Sequence, residues 1–415
     1  MTQPGPHPLY ARLRSIVRVA SVVGLLAFVL LMTADIALYN YGHKLPFFSP
    51  AEKRLLYRNG VLAAVRQPEY RPWLTGCVSQ PGLGPVTLAV GDTALACGEP
   101  RDSLPTVAMS AVDGLGFRND IPPSQADALF LGDAFCQGAG SGTAQSIPAL
   151  VQKASGQTVY AACNDELGLA HYARLLEALT GDGLGPENRF AGKNVTVLLQ
   201  VGDDLTTDIA AFRQHKMDEL VSHARHLWLE SLRALWAFSR DSGVPDNVGP
   251  VRPDASAPGC TRVAIKGDGK SPRTALFPPL SLSSPDAAWP APGQEDELRA
   301  VFTAMARLAK DRNLDVRFVI LPTALQVLYP RLDLGSLEKK SSFAKAAPAL
   351  VRRDNQLTAF AVSAAEEAGF PVLDLEPLLV GRDDAAELYW PADTHLTPHG
   401  NAVVADAILQ AFPKD

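Results

Sequence analysis

Apolar and polar positions change period along the chain. From Ala128 onward, short apolar runs alternate with longer stretches of helical spacing. The runs are ALFLGD (128–133), TVYAAC (158–163), NVTVLLQVG (194–202), VRFVILP (316–322) and PVLDL (371–375). Between and after them lie amphipathic stretches at 146–154, 167–180, 296–312, 356–368 and 397–412. Near-continuous apolar runs predict strands buried on both faces. Their alternation with helices predicts a parallel α/β sheet covered on each side.

Other segments follow different rules. Val19 to Ala34 carries no charge, and Tyr39 and Tyr41 follow Asp35. Residues 19–41 are long enough to cross a bilayer at about 1.5 Å per residue. They predict a transmembrane anchor behind a short cytoplasmic tail, 1–18, which contains Arg12, Arg14 and Arg18. A cleaved signal peptide is the alternative, but a small-x-small cleavage site is poor here. Residues 42–125 predict an irregular, β-rich extension, with a short meander between Cys77 and Cys97 and a bond between those two cysteines. The main domain is expected over 126–415. It is interrupted by an insertion at about 243–293 that holds ten prolines, with TRVAIKG (261–267) as a lone edge strand at the surface.

Composition narrows the function. A net charge of −6 excludes a typical nucleic-acid binder. Five cysteines without a CxxC pair exclude a zinc ribbon and fit an oxidising compartment. In open parallel sheets, ligands bind beyond the carboxyl ends of the strands, so the polar tips after each run matter most. These tips are Gly132-Asp133-Ala134-Phe135-Cys136-Gln137-Gly138, Cys163-Asn164-Asp165-Glu166-Leu167-Gly168, Gly202-Asp203-Asp204-Leu205 and Asp393-Thr394-His395-Leu396-Thr397.

On these residues the chain resembles the SGNH/GDSL hydrolases. LFLGDAFCQGAG is similar to their first block, GDDL to the G-N-D-L block, and PADTHLTPHGNAVVADAIL to the last block, D-x-H-L-x-x-x-G. DGLGFRND (113–120) and VRFVILPTALQVLYP resemble segments of the membrane-associated branch. The resemblance implies a flavodoxin-like three-layer α/β/α sandwich with a parallel sheet. It also implies serine esterase or acyltransferase chemistry, in which a Ser attacks the acyl carbon, His is the base and Asp orients it. Asp393 and His395 match the Asp and His. The nucleophile position falls on Ala134, a methyl group with no proton to give. The family's other oxyanion donors, a Gly N–H and an Asn amide, fall on Glu166 and Asp203, with Ala134's own N–H as the third. Ionised carboxylates only accept hydrogen bonds, and would repel an oxyanion. Asp133 and Asp204 line the site or, on the plainer reading, brace its turns.

The expectation is therefore an SGNH-like protein without serine chemistry. The resemblance places it, single-pass, in the bacterial inner membrane with a periplasmic domain, and suggests a polysaccharide or acyltransferase partner. An active esterase stays open, either through an engineered Ala134 or through another nucleophile such as Cys136. The second replacement, at Asp203, speaks for natural loss, because one change suffices to disable a serine enzyme. Cys136 is alternatively a disulfide partner of Cys163. No metal or cofactor is expected, although Asp133, Glu166, Asp203, Asp204, Asp393 and His395 form an alternative divalent-cation set.

Overall fold

The computed structural model describes residues 23–24, 26–31, 33–34, 86–90, 106–110, 113, 115–164, 167–182, 185–202, 204–205, 261–266, 273–277, 293–337, 341–391 and 394–413. Its contacts separate two units, 1–60 with 215–246, and 61–214 with 247–415. In the first unit the described residues are helical and exposed, among them Leu26, Phe28 and Leu30. Among the described residues no helix is long and apolar enough to cross a membrane, and the rest of the 19–41 stretch lies outside them.

Among its described residues the second unit contains nine strands. Strands β1 (Val86–Val90) and β2 (Thr106–Ser110) pair antiparallel. The partner of β1 thus lies beyond the Cys77–Cys97 bracket in which a self-contained meander was expected; both cysteines lie outside the described residues. The main sheet comprises β3 (Ala128–Gly132), β4 (Val159–Cys163), β5 (Asn194–Gln200), β8 (Asp315–Leu321) and β9 (Val372–Asp374). It runs β4-β3-β5-β8-β9 with every pair parallel, which is the doubly wound order 2-1-3-4-5 of flavodoxin-like sheets.

Successive side chains leave a strand on opposite faces, so each strand supplies two layers. Leu129, Leu131, Val195, Val197, Phe318 and Ile320 pack on one face. There they meet α3 (Leu169–Thr180), α4 (Gln294–Arg312) and α6 (Ser342–Glu367). Ala128, Phe130, Leu198, Val319 and Leu321 face the other way. They meet α2 (Ile147–Ser155), α5 (Ala324–Leu328), α7 (Glu376–Val380) and α8 (Pro398–Ala411). The short helix α1 (Ala134–Gln137) follows β3 directly. Each fully buried large apolar side chain contributes about 1.5–3 kcal/mol, and both faces of the sheet are lined with them.

Three local features depart from the sequence expectation. The core reaches back before residue 126, since Leu115 and Phe117 are buried in it. Asn119 there hydrogen-bonds the backbone N–H and C=O of Ala161 and so covers the outer edge of β4. The strand in TRVAIKG is not alone: β6 (Thr261–Ile265) pairs antiparallel with β7 (Arg273–Phe277). Val263, Ala275 and Phe277 pack on Leu325, Phe343 and Leu350, so this part of the insertion is buried rather than superficial. Helix α6 begins well before 356 and runs through Pro348. Proline reads as a breaker, but Ser341 caps the helix start and Phe343, Ala347 and Leu350 anchor the early turns at i, i+4, i+7 spacing.

Two polar features hold the strand tips. Cys136 on α1 and Cys163 at the end of β4 form a disulfide, with Cα atoms 5.5 Å apart. The approach is close: a Cβ on Gly132 would collide with Cys136, so β3 must end in glycine. Beyond β8 and β9, the Gln326 amide donates to Asn355 Oδ1, Thr358 Oγ1 and Glu376 Oε2 at 3.0–3.3 Å. Burial, with the Asp374 charge adding to it, raises the Glu376 carboxyl above its ordinary range.

The bond joins residues 27 apart, so the chain-entropy model gives about 3.5 kcal/mol for closing that loop. Denaturant unfolding of the Cys136→Ala/Cys163→Ala variant should show a loss of that order, and a loss below about 1 kcal/mol would contradict it. Because the folded-state pKa of Glu376 is raised, the protonated acid contributes stability at low pH that is lost as pH rises through the folded value. Glu376→Gln should therefore raise Tm increasingly from about pH 4 upward, with little difference in stronger acid. A Tm gain that shrinks with rising pH would show the sign to be wrong.

Candidate functional site

The strand order reverses around β3, which has β4 on one side and β5 on the other. In open α/β sheets ligands bind at such a switch point, outside the carboxyl ends of the strands. The residue after β3, Asp133, caps α1: its Oδ1 accepts from Phe135 N at 3.0 Å. Ala134 is the first residue of α1 and is 5% exposed. On the far side of α1, Cys136 is fully buried in its bond to Cys163. A disulfide sulfur carries no thiolate, so Cys136 is not available as a nucleophile in this state.

The tip of β4 continues into Asn164, whose N–H donates to Gly132 O at 3.0 Å. Its side-chain oxygen accepts from the Gln137 amide at 3.3 Å, and both residues are buried. The tip of β5 turns through Asp204, whose carboxylate accepts from Tyr172 OH at 2.8 Å and from Gln200 N at 2.9 Å. Asp133 and Asp204 therefore each have a bracing partner in their own turn. Both are almost entirely buried.

The last block arrives from the far end of the chain. Trp390 N donates to His395 O at 2.8 Å, and Tyr389 pairs with Leu396, so 389–391 and 394–396 run side by side ahead of α8. The His395 ring lies 4.8 Å from the Phe135 ring, centroid to centroid, beside Ala134. Two bonds fasten the first and last blocks together: Ser141 Oγ donates to Leu396 O at 3.0 Å, and the Asn401 amide donates to Gln145 O at 2.9 Å. The structure thus brings Asp133, Ala134, Asn164 and His395 near one another beyond the carboxyl ends of β3 and β4. Glu166, Asp203 and Asp393 lie outside the described residues. Among the described residues, no group of three or more His, Cys, Asp or Glu could hold a metal ion.

Sequence reasoning gave no role to Ser141, Asn401 or Phe135. Nothing marks Ser141 in a glycine-rich loop, because its partner is a backbone carbonyl 255 residues away. Phe135 reads as an ordinary apolar residue until its ring is seen against an imidazole.

Comparison with known proteins follows the same lines. Residues 287–415 match the family described as the SGNH hydrolase-like domain of the acetyltransferase AlgX. No curated protein matches in sequence. Similar solved structures include an extracellular lipase from Streptomyces rimosus, at 14% identity over 68% of this chain and 99% of that one, with a TM-score of 0.36. A putative G-D-S-L lipolytic protein from Desulfitobacterium hafniense DCB-2 is 11% identical over 69% and 98%, with a TM-score of 0.34. A carbohydrate esterase with a carbohydrate-binding domain from Corynascus thermopiles is 12% identical over 74% and 70%, with a TM-score of 0.31. At these scores the structural likenesses carry no argument of their own. The last part of the chain, residues 287–415, is thus similar to the SGNH hydrolase-like domain of the acetyltransferase AlgX.

Proposed function

We propose that this protein is a receptor built on a hydrolase fold, which binds a carbohydrate or a partner protein in cell-envelope polysaccharide modification without making an acyl-enzyme. The observation that carries the reading is the pairing of Ala134 with a bonded Cys136. Ala134 occupies the start of α1, where the resemblance puts the serine. The thiol two residues on is tied to Cys163. His395 meets the carbon ring of Phe135 at that point. A covalent acyl-enzyme needs an oxygen or sulfur nucleophile in reach of its base; Ala134 offers only a methyl group, and the Cys136 sulfur is held in its disulfide. Asp203, in the position the family gives to a donating amide, adds a charge that opposes an oxyanion.

The proposed setting is extracytoplasmic, on a single N-terminal anchor. A buried disulfide in the core domain supports an oxidising compartment, and the apolar stretch 19–41 supports the anchor. The carbohydrate or acyltransferase partner rests on the AlgX-type match alone.

The rival reading is an active esterase, favoured by the retained Asp393 and His395. Hydrolysis of an activated acetyl ester separates the two. The wild type should turn over at the rate of buffer, and Ala134→Ser with Asp203→Asn should gain at least about tenfold, since one oxyanion-hole donor alone is worth 10²–10³. Wild-type turnover that His395→Ala abolishes would defeat the receptor reading.

A further inference from the structure

The amino ends of the strands, opposite the candidate site, carry a groove of their own. Two clefts meet there, of about 560 and 510 Å³, and they share Gln157 and Asn194. Each falls within the roughly 300–1,000 Å³ of small-molecule sites. Gln157 lies just before β4, Asp127 precedes β3, Asn194 opens β5, Asp315 opens β8 and Pro371 precedes β9, and all of them line the clefts. The groove therefore crosses the starts of all five strands, four inter-strand spacings or roughly 19 Å.

Part of the lining is fixed and part is uncommitted. Arg317 is held on two sides: Nε donates to Thr196 Oγ1 at 3.2 Å, and the guanidinium lies over the Phe412 ring, 5.1 Å from its centre. Asp127 is held by Thr158, whose N–H and hydroxyl donate to Oδ2 at 2.8 and 2.7 Å. A Cβ on Gly192 would collide with Asp127 O, so the wall there is close-packed. By contrast, the side chains of Gln157, Lys193, Asn194 and Asp315 make no hydrogen bond or ion pair with any described residue.

We infer that this groove binds a neutral oligosaccharide. It is separate from the site proposed above, and the inference stands whether or not that site binds. Charge and hydrogen bonding set the ligand class. The charged lining residues are Asp127 and Asp315 against Lys193 and Arg317, so no surplus draws a polyanion or a polycation. The helices that return against the strands bring their carboxyl ends here: Ala309 near the end of α4, Gly369 just after α6 and Phe412 just after α8 all line the groove. The last carbonyls of a helix lack partners in its own ladder and so supply acceptors. The amides of Gln157 and Asn194 and the cations of Lys193 and Arg317 supply donors. A sugar hydroxyl donates and accepts at once, which matches so mixed a lining. Phe412 and Pro371 offer dispersion contact to the C–H faces of sugar rings. A groove that crosses strand ends offers no strand edge to which an extended peptide could add.

Calorimetric titration of the full chain with cellopentaose, maltopentaose, xylopentaose and N-acetylated chitopentaose tests the inference. At least one of the four should bind, and Asn194→Ala with Asp315→Ala should weaken it at least about fivefold, the low end for two hydrogen bonds. Penta-galacturonic acid, equally long but charged, should bind no more tightly. No binding of any neutral probe at millimolar concentration overturns the inference, as does a smaller loss in the double variant or tighter binding of the acidic probe. Binding that His395→Ala abolishes and the double variant keeps also overturns it, and assigns the sugar to the carboxyl ends of the strands. If the double variant melts below the wild type, Gln157→Ala, outside any strand, takes its place. A loss of at least about twofold is then expected for one hydrogen bond, and unchanged affinity overturns the inference.

Discussion

Burial of both faces of the five-stranded sheet is the constraint from which the rest follows. A strand covered on each side has no place for unpaired polar side chains. Polar residues are therefore displaced to the strand ends, where backbone groups must also be satisfied by caps and turns. Asp133, Asn164 and Asp204 all sit in such turns, each bonded to neighbouring backbone or to a buried side chain. The tips of β4 and β5 flank that of β3 because the chain winds outward in both directions from that strand. What stands there is then decided by a few positions on short connections.

The sheet was legible because its strands are largely apolar runs of three to seven residues between long amphipathic stretches. Each of the five runs marked in the sequence contains a strand of the sheet. The parallel arrangement follows from the helices between them. The pairing of β6 with β7 was hidden, since Pro- and Gly-rich sequence around both strands reads as loop and antiparallel partners need not be apolar on both faces. The early half of α6 was hidden by Pro348, whose missing N–H is tolerated because packing on Phe343 and Leu350 outweighs the lost bond. At the site, motif spacing pointed to Ala134 and His395. The contacts that join them, Phe135 with His395 and Ser141 with Leu396, depend on residues about 260 positions apart and have no local signature.

The chemistry of these tips combines retained and missing parts. The fold, the capped turn after β3 and the histidine of the last block remain, in a chain whose final part matches an acetyltransferase-type domain. An alanine and a sealed pair of cysteines stand at the place from which a nucleophile would act.

The most direct measurement is intact-mass spectrometry of the oxidised, wild-type protein after incubation with an excess of a serine- and thiol-reactive acyl-transfer probe. The account predicts an unchanged mass for the chain with the Cys136–Cys163 bond in place. A stoichiometric adduct that maps between residues 126 and 205 or 293 and 413, and that disappears in His395→Ala, would contradict it.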